Sequence, residues 1–196
     1  MLPEYVILLP LPISIFFTFR YIYFAYIGKI QPNIVTWSVW AAASLLSFYA
    51  ALSSGSGFLQ IFTTFTSGFF PLLTVLVLII AQKGKVSFTK FDIFSLIIAI
   101  CGLVVWKVFD DPSYVVIAFL AGLFADMAGF MPTIIKTFKM PKSEDPIIYL
   151  IGICNAILQL LIIQDYSIFK LGFPVYVICF NGLIVGIILK YKISRL

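Results

Sequence analysis

The chain has 196 residues, of which 62% are hydrophobic and 11% charged, with a mean hydropathy of +1.12. That leaves too little polar surface to coat a water-soluble globule. The net charge of +5 would suit a nucleic-acid partner, but the basic residues are distributed as topology signals and exclude that class.

A helix needs about 20 apolar residues to cross a hydrocarbon core about 30 Å thick. Stretches of that kind lie at 5–27, 34–53, 58–82, 91–109, 114–137, 146–164 and 171–191. They are continuous rather than alternating, which disfavours a closed β-barrel. The expected fold is an all-α membrane protein with seven transmembrane helices and no soluble domain.

The first stretch lacks a basic start and a small-residue cleavage site, so it reads as a retained helix rather than a signal. Arg20 lies toward its inner end and is expected to snorkel to the headgroups, a gate or anionic-substrate contact being the alternative. The second helix opens with Trp37 and Trp40. Trp37 fits an interface belt, while Trp40 suits either the belt or an aromatic wall that stacks on a ring-shaped solute. The third carries Thr64, Ser67, Pro71 and Thr74 on one face. In the fourth, Trp106 beside Lys107 reads as an interface anchor, and Asp110, Asp111 and Pro112 form the turn into the fifth.

Gly122, Asp126, Gly129 and Thr133 recur along the fifth helix at helical spacing and form a small, polar stripe. A carboxylate at mid-span costs roughly 3 kcal/mol on insertion scales, so Asp126 is expected to face a cavity or a partner. It reads as a substrate acceptor or proton-coupling group, or as a protonated or paired residue that packs helices. The sixth helix carries Gly152, Asn155 and Gln159 on one face, and the seventh carries Asn181, Gly182 and Gly186. The amides serve either a substrate pocket or interhelical bonding, and Gly182 with Gly186 fits close helix packing. Pro71 and Pro132 each free a carbonyl one turn back and are candidate hinges.

Lys29, Lys83, Lys85, Lys90, Lys136, Lys139, Lys142, Lys190, Lys192 and Arg195 fall on one side of these helices. The other side holds Lys107 and Lys170 with Glu4, Asp110, Asp111 and Asp165. Positive loops stay cytoplasmic. The N-terminus is therefore expected outside and the C-terminus in the cytosol of a multi-pass plasma-membrane protein, with anionic lipid as a further partner of the basic residues.

The fourth helix divides two similar halves. A shift of 113 residues places Lys29 on Lys142, Ile34 on Ile147, Ala43 on Ala156 and Leu45 on Leu158. Helices 3 and 7 both end in Lys-x-Lys. The expected arrangement is 3+1+3: a three-helix bundle over 5–82, a linker helix at 91–109 and a second bundle over 114–191, in the parallel-repeat class.

Within the second half, the run from Met131-Pro132-Thr133 through Lys136, Lys139 and Met140-Pro141-Lys142-Ser143 looks like a PQ-loop repeat. The whole layout resembles the SWEET sugar transporters and their PQ-loop relatives. Thr133 stands where that family has Gln, and in the first half Phe19 aligns there, with Pro12 two turns earlier. The resemblance implies transport of a small solute, sugar first, by alternating access. It also implies Asn side chains at mid-helices 3 and 7 lining the site: Asn181 matches the second, and Thr74 stands for the first. Asp126, Asn155, Asn181, Gln159, Thr74 and Trp40 are thus the candidate substrate contacts.

The sequence has no His, and Cys101, Cys154 and Cys179, each expected to be a free thiol buried within a span and not part of a disulfide, are not spaced as metal ligands. No metal, cofactor or enzymatic activity is expected; a homo-oligomer remains open. The rival reading is a non-transporting receptor or assembly factor of the same fold, in which Arg20 grips a peptide end.

Overall fold

A computed structural model describes residues 8–53, 55, 57–81, 88–108, 115–162 and 168–194. Among the described residues the fold is all-helical, without a strand. The elements are α1 (Leu11–Tyr26), α2 (Ile34–Ser53), α3 (Phe58–Ala81), α4 (Lys90–Val108), α5 (Val115–Lys139), a 3-10 turn (Pro141–Ser143), α6 (Pro146–Ile162) and α7 (Ile168–Ile193). Each helix falls on one of the seven apolar stretches. Glu4, Lys83, Lys85, Asp110, Asp111, Pro112, Asp165, Arg195 and the side chain of Trp106 lie outside the described residues.

The helix ends follow local chemistry. Pro12 sits at the start of α1, where a missing N–H costs nothing. Gly28, with φ of 72°, turns the chain out of it. Asn33 caps α2 by accepting from the Val35 and Thr36 amides at 2.9 and 3.2 Å. Thr89 and Asp92 form a reciprocal capping box at α4, and Asn33 Nδ2 donates to Asp92 at 2.8 Å, which ties the starts of α2 and α4 together. α3 and α5 run on through Pro71 and Pro132, and α7 does the same through Pro174.

The interior holds polar as well as apolar side chains, while many large apolar residues face outward. Thr36, Thr74, Thr133, Thr137, Glu144 and Asn181 are buried, while Leu76, Ile79, Ile80, Phe94, Ile97 and Val104 are exposed. Three helical segments, Ile61–Ala81, Phe119–Lys139 and Lys170–Ile193, are long and apolar enough to cross a membrane. α1 and α6 are shorter, at 16 and 17 residues, and α4 bears Lys90, Asp92 and Lys107. Membrane association is the physical consequence. Cys101, Cys154 and Cys179 lie within helices but on outward faces, not in the interior as expected. A thiol is a small, soft, nearly apolar group that suits such a face.

The chain divides into two compact units, residues 1–31 with 134–196 and residues 32–133. In the first, α6 packs along α7, α1 packs on α6, and the 3-10 turn packs on α7. In the second, α2 packs along α3 and α4 packs on α2, over a core of Val35, Val39 and Ala99. The contact grouping sets α1 with α6 and α7.

Close approach of helices occurs at Gly102, where an added Cβ would lie 2.7 Å from the Ala121 carbonyl and 2.8 Å from Ala125 Cβ. Gly182 and Gly186 do not form the expected packing pair: a Cβ at either meets nothing within 4 Å. The reason is phase, because Asn181, Ile184, Val185 and Ile188 make the buried stripe of α7 and both glycines lie off it. Gly102→Ala should therefore destabilise by about 1–3 kcal/mol, while Gly182→Ala leaves the melting temperature unchanged or slightly raised. Thermal unfolding in detergent checks this, and equal melting of the two variants would refute the close α4–α5 contact.

Candidate functional site

The first unit contains a buried polar cluster where α1, α5 and α6 meet the 140–146 connection. Glu144 is its centre, with a side chain of zero exposure. Its Oε2 accepts from the Tyr21 phenol of α1 at 2.6 Å and from the Tyr149 phenol of α6 at 2.9 Å. Its Oε1 is paired with the Lys136 ammonium at the end of α5. Lys136 also donates to the carbonyl of Gln31, and the Gln31 amide donates to the Ser143 carbonyl at 2.8 Å. The two short connections that follow α1 and α5 are thereby joined.

Asp145 does two things. Its Oδ1 accepts from the Ile147 amide at 3.2 Å, which caps α6 behind Pro146, and its Oδ2 pairs with Arg20. Arg20 does not snorkel free as expected; its guanidinium lies over the Phe24 ring at 4.4 Å and is held by Asp145. The pairing answers the desolvation that a bare guanidinium would suffer at this position.

Deeper in the same unit, Asn155 Nδ2 donates to Ser14 Oγ of α1 at 3.2 Å, and Asn155 Oδ1 is buried without a hydrogen-bond partner among the described residues. Asn181 is buried, and its Nδ2 lies 2.6 Å from where a Cβ on Gly152 would stand. Gly152 and Asn155 are one turn apart on α6, so the structure brings the two amides to adjacent turns of the α6–α7 seam. Gln159, a turn further on, is half-buried.

In the second unit, Thr133 Oγ1 donates to Thr36 Oγ1 at 2.9 Å, both residues being fully buried. Trp40 packs against Trp37 at 5.2 Å and Phe130 at 4.8 Å between ring centroids. Trp37 is buried in this stack. Thr74 is fully buried, and its hydroxyl donates to the Phe70 carbonyl of its own helix at 2.9 Å. Asp126 is half-buried on α5, and Pro132 is buried beside Thr133.

Sequence reasoning missed Glu144, Asp145, Lys136, Tyr21 and Tyr149 as one group. The signal was an acidic pair set between Pro141 and Pro146 in a connection otherwise read as basic. No family model, curated protein or solved structure matches the chain.

The Glu144 cluster carries a stability prediction. Lys136→Met removes the counter-ion of a buried carboxylate and should cost about 3–5 kcal/mol. Adding Glu144→Leu should recover part of that loss, the remainder being the Tyr21 and Tyr149 phenols deprived of their acceptor. Thermal unfolding of the purified single and double variants measures it, and an additive pair would show that the two side chains do not interact.

Proposed function

We propose that the chain is a multi-pass plasma-membrane transporter with seven spanning helices, N-terminus outside and C-terminus cytoplasmic, that moves a small solute by alternating access. A sugar is the first candidate, by resemblance to the SWEET family, and a 3+1+3 repeat is the architecture that goes with it. The observation that carries this reading is the amide pair in the first unit. Asn155 and Asn181 lie at adjacent turns inside a protein with many outward-facing apolar side chains, and Asn155 Oδ1 is a buried acceptor with no hydrogen bond among the described residues. A hydroxyl-bearing solute would satisfy that acceptor, whose burial otherwise costs about 1–3 kcal/mol.

Asp126, half-buried on α5, is the proposed proton-coupling carboxylate of this transport, and Pro71 and Pro132 are the proposed hinges. The rival receptor reading would need Arg20 to grip a peptide terminus. Arg20 is engaged by Asp145, which favours the solute reading.

A thermal-shift screen of sugars, amino acids and vitamins in detergent tests the proposal. A ligand at about a hundred times its Kd should stabilise the protein by about 2.7 kcal/mol. Asn155→Ala and Asn181→Ala should abolish that shift. Failure of every solute class to shift the melt, or shifts that survive both substitutions, would refute the site. For a solute so identified, proteoliposomes with an imposed pH gradient should accumulate it with the unsubstituted chain but not with Asp126→Asn. Equal gradient-driven uptake would remove Asp126 from coupling.

A further inference from the structure

At one end, the first unit keeps its acids inside and its surplus base outside. Among the described residues of this unit the acids are Glu144 and Asp145. Both are buried and engaged by Lys136, Tyr21, Tyr149 and Arg20. Lys29, Lys139, Lys142, Lys190 and Lys192 are exposed, and none is paired with a carboxylate among the described residues. Lys29 holds its ammonium 4.1 Å from the Phe24 ring centroid, a contact that leaves its charge in place. The fold gathers these lysines. The Gln31 amide bonds the Ser143 carbonyl, which brings the connection after α1 to the one after α5. α6 and α7 pack lengthwise with Asn181 over Gly152, and α7 also packs on the 3-10 turn that precedes α6. The two helices are therefore antiparallel, and the last turn of α7, with Lys190 and Lys192, lies level with Lys142.

We propose that this end of the first unit binds an anionic phospholipid, its lysines taking the headgroup phosphate and their apolar neighbours the acyl chains. The surface there has a single sign because Glu144 and Asp145 have been withdrawn from it. By sequence, these two carboxylates stand among the lysines and would offset part of their charge. Burial against Tyr21, Lys136, Tyr149 and Arg20 removes that offset. A zwitterionic headgroup brings its own cation and gains little from such a surface, whereas a net-negative headgroup gains from each ammonium it meets. The apolar neighbours decide between a lipid and a water-borne anion. Ile27 lies near Lys29, Phe138 and Met140 flank Lys139, and Leu189 and Ile193 bracket the last lysines of α7, all exposed. A nucleic acid or a free phosphate would leave those side chains in water. The boundary between headgroups and acyl chains accommodates both kinds of group at once. This inference does not depend on the transport reading.

The full chain in a neutral detergent is titrated with phosphatidylglycerol and, separately, with phosphatidylcholine of the same acyl chains, and bound lipid is counted by native mass spectrometry. Phosphatidylglycerol should bind about tenfold or more tighter than phosphatidylcholine. Inorganic phosphate in about hundredfold excess should not displace it, since phosphate has no acyl chain to bury. Lys190→Gln should weaken phosphatidylglycerol about fivefold, and adding Lys142→Gln about as much again, with phosphatidylcholine unmoved. Lys170→Gln removes the same charge from the opposite end of α7 and should leave phosphatidylglycerol binding unchanged. Arginine at both 142 and 190 should retain the preference. These side chains are all exposed, so the substitutions leave the packing of the unit alone. Equal binding of the two lipids overturns the proposal, as does displacement by phosphate. Equal weakening by Lys170→Gln and Lys190→Gln also overturns it, because binding would then follow net charge and not this end of the unit.

Discussion

A carboxylate with no solvent contact has to be met by donors, and Glu144 is met by three. Lys136 and Tyr149 are near neighbours in the chain, at the end of α5 and the start of α6, while Tyr21 of α1 lies 123 residues away. Apolar packing in a lipid-facing protein supplies little specificity, because a leucine gains about as much from a lipid tail as from another leucine. The placement of α1 beside α6 in this unit therefore leans on the few groups that cannot tolerate hydrocarbon. Tyr21, Lys136, Tyr149 and Arg20 converge on one acidic pair, and that convergence fixes which helices meet.

The same logic orders the rest of the structure. The buried hydroxyl pair Thr36–Thr133 and the Asn33–Asp92 bridge do for the second unit what Glu144 does for the first. Several hydroxyls, among them Thr18, Ser47, Thr66 and Thr74, solve their problem locally by bonding a carbonyl one turn back. Such residues carry no information about which helix lies opposite. The pairs between helices do.

The helices were legible because continuous apolar runs of span length have one physical meaning, and the turns at Gly28, Asn33 and Pro146 mark their ends. The polar residues inside the runs were legible as exceptions: Asn155, Asn181 and Asp126 stand out from their apolar surroundings. Side-chain phase was harder to read. Gly182 and Gly186 looked like a packing motif, yet the stripe that α7 buries is offset from them by one residue. Trp37 read as an interface residue because it lies near the helix start, and its burial against Trp40 could not be seen from position alone. The Glu144 cluster was hidden for a different reason. A sequence shows charges in a connection but not their partners, and an acidic pair beside three lysines reads as a solvated loop until Tyr21 and Tyr149 are brought to it by the fold.

Asp145 holds two jobs whose chemical demands differ. Capping the first turn of α6 asks only for a short side-chain oxygen, which asparagine would supply as well. Restraining Arg20 asks for a full negative charge. A neutral amide at this position would therefore leave the start of α6 intact while removing one of the ties that hold α1, so helix integrity and helix docking are separable properties that one side chain happens to combine.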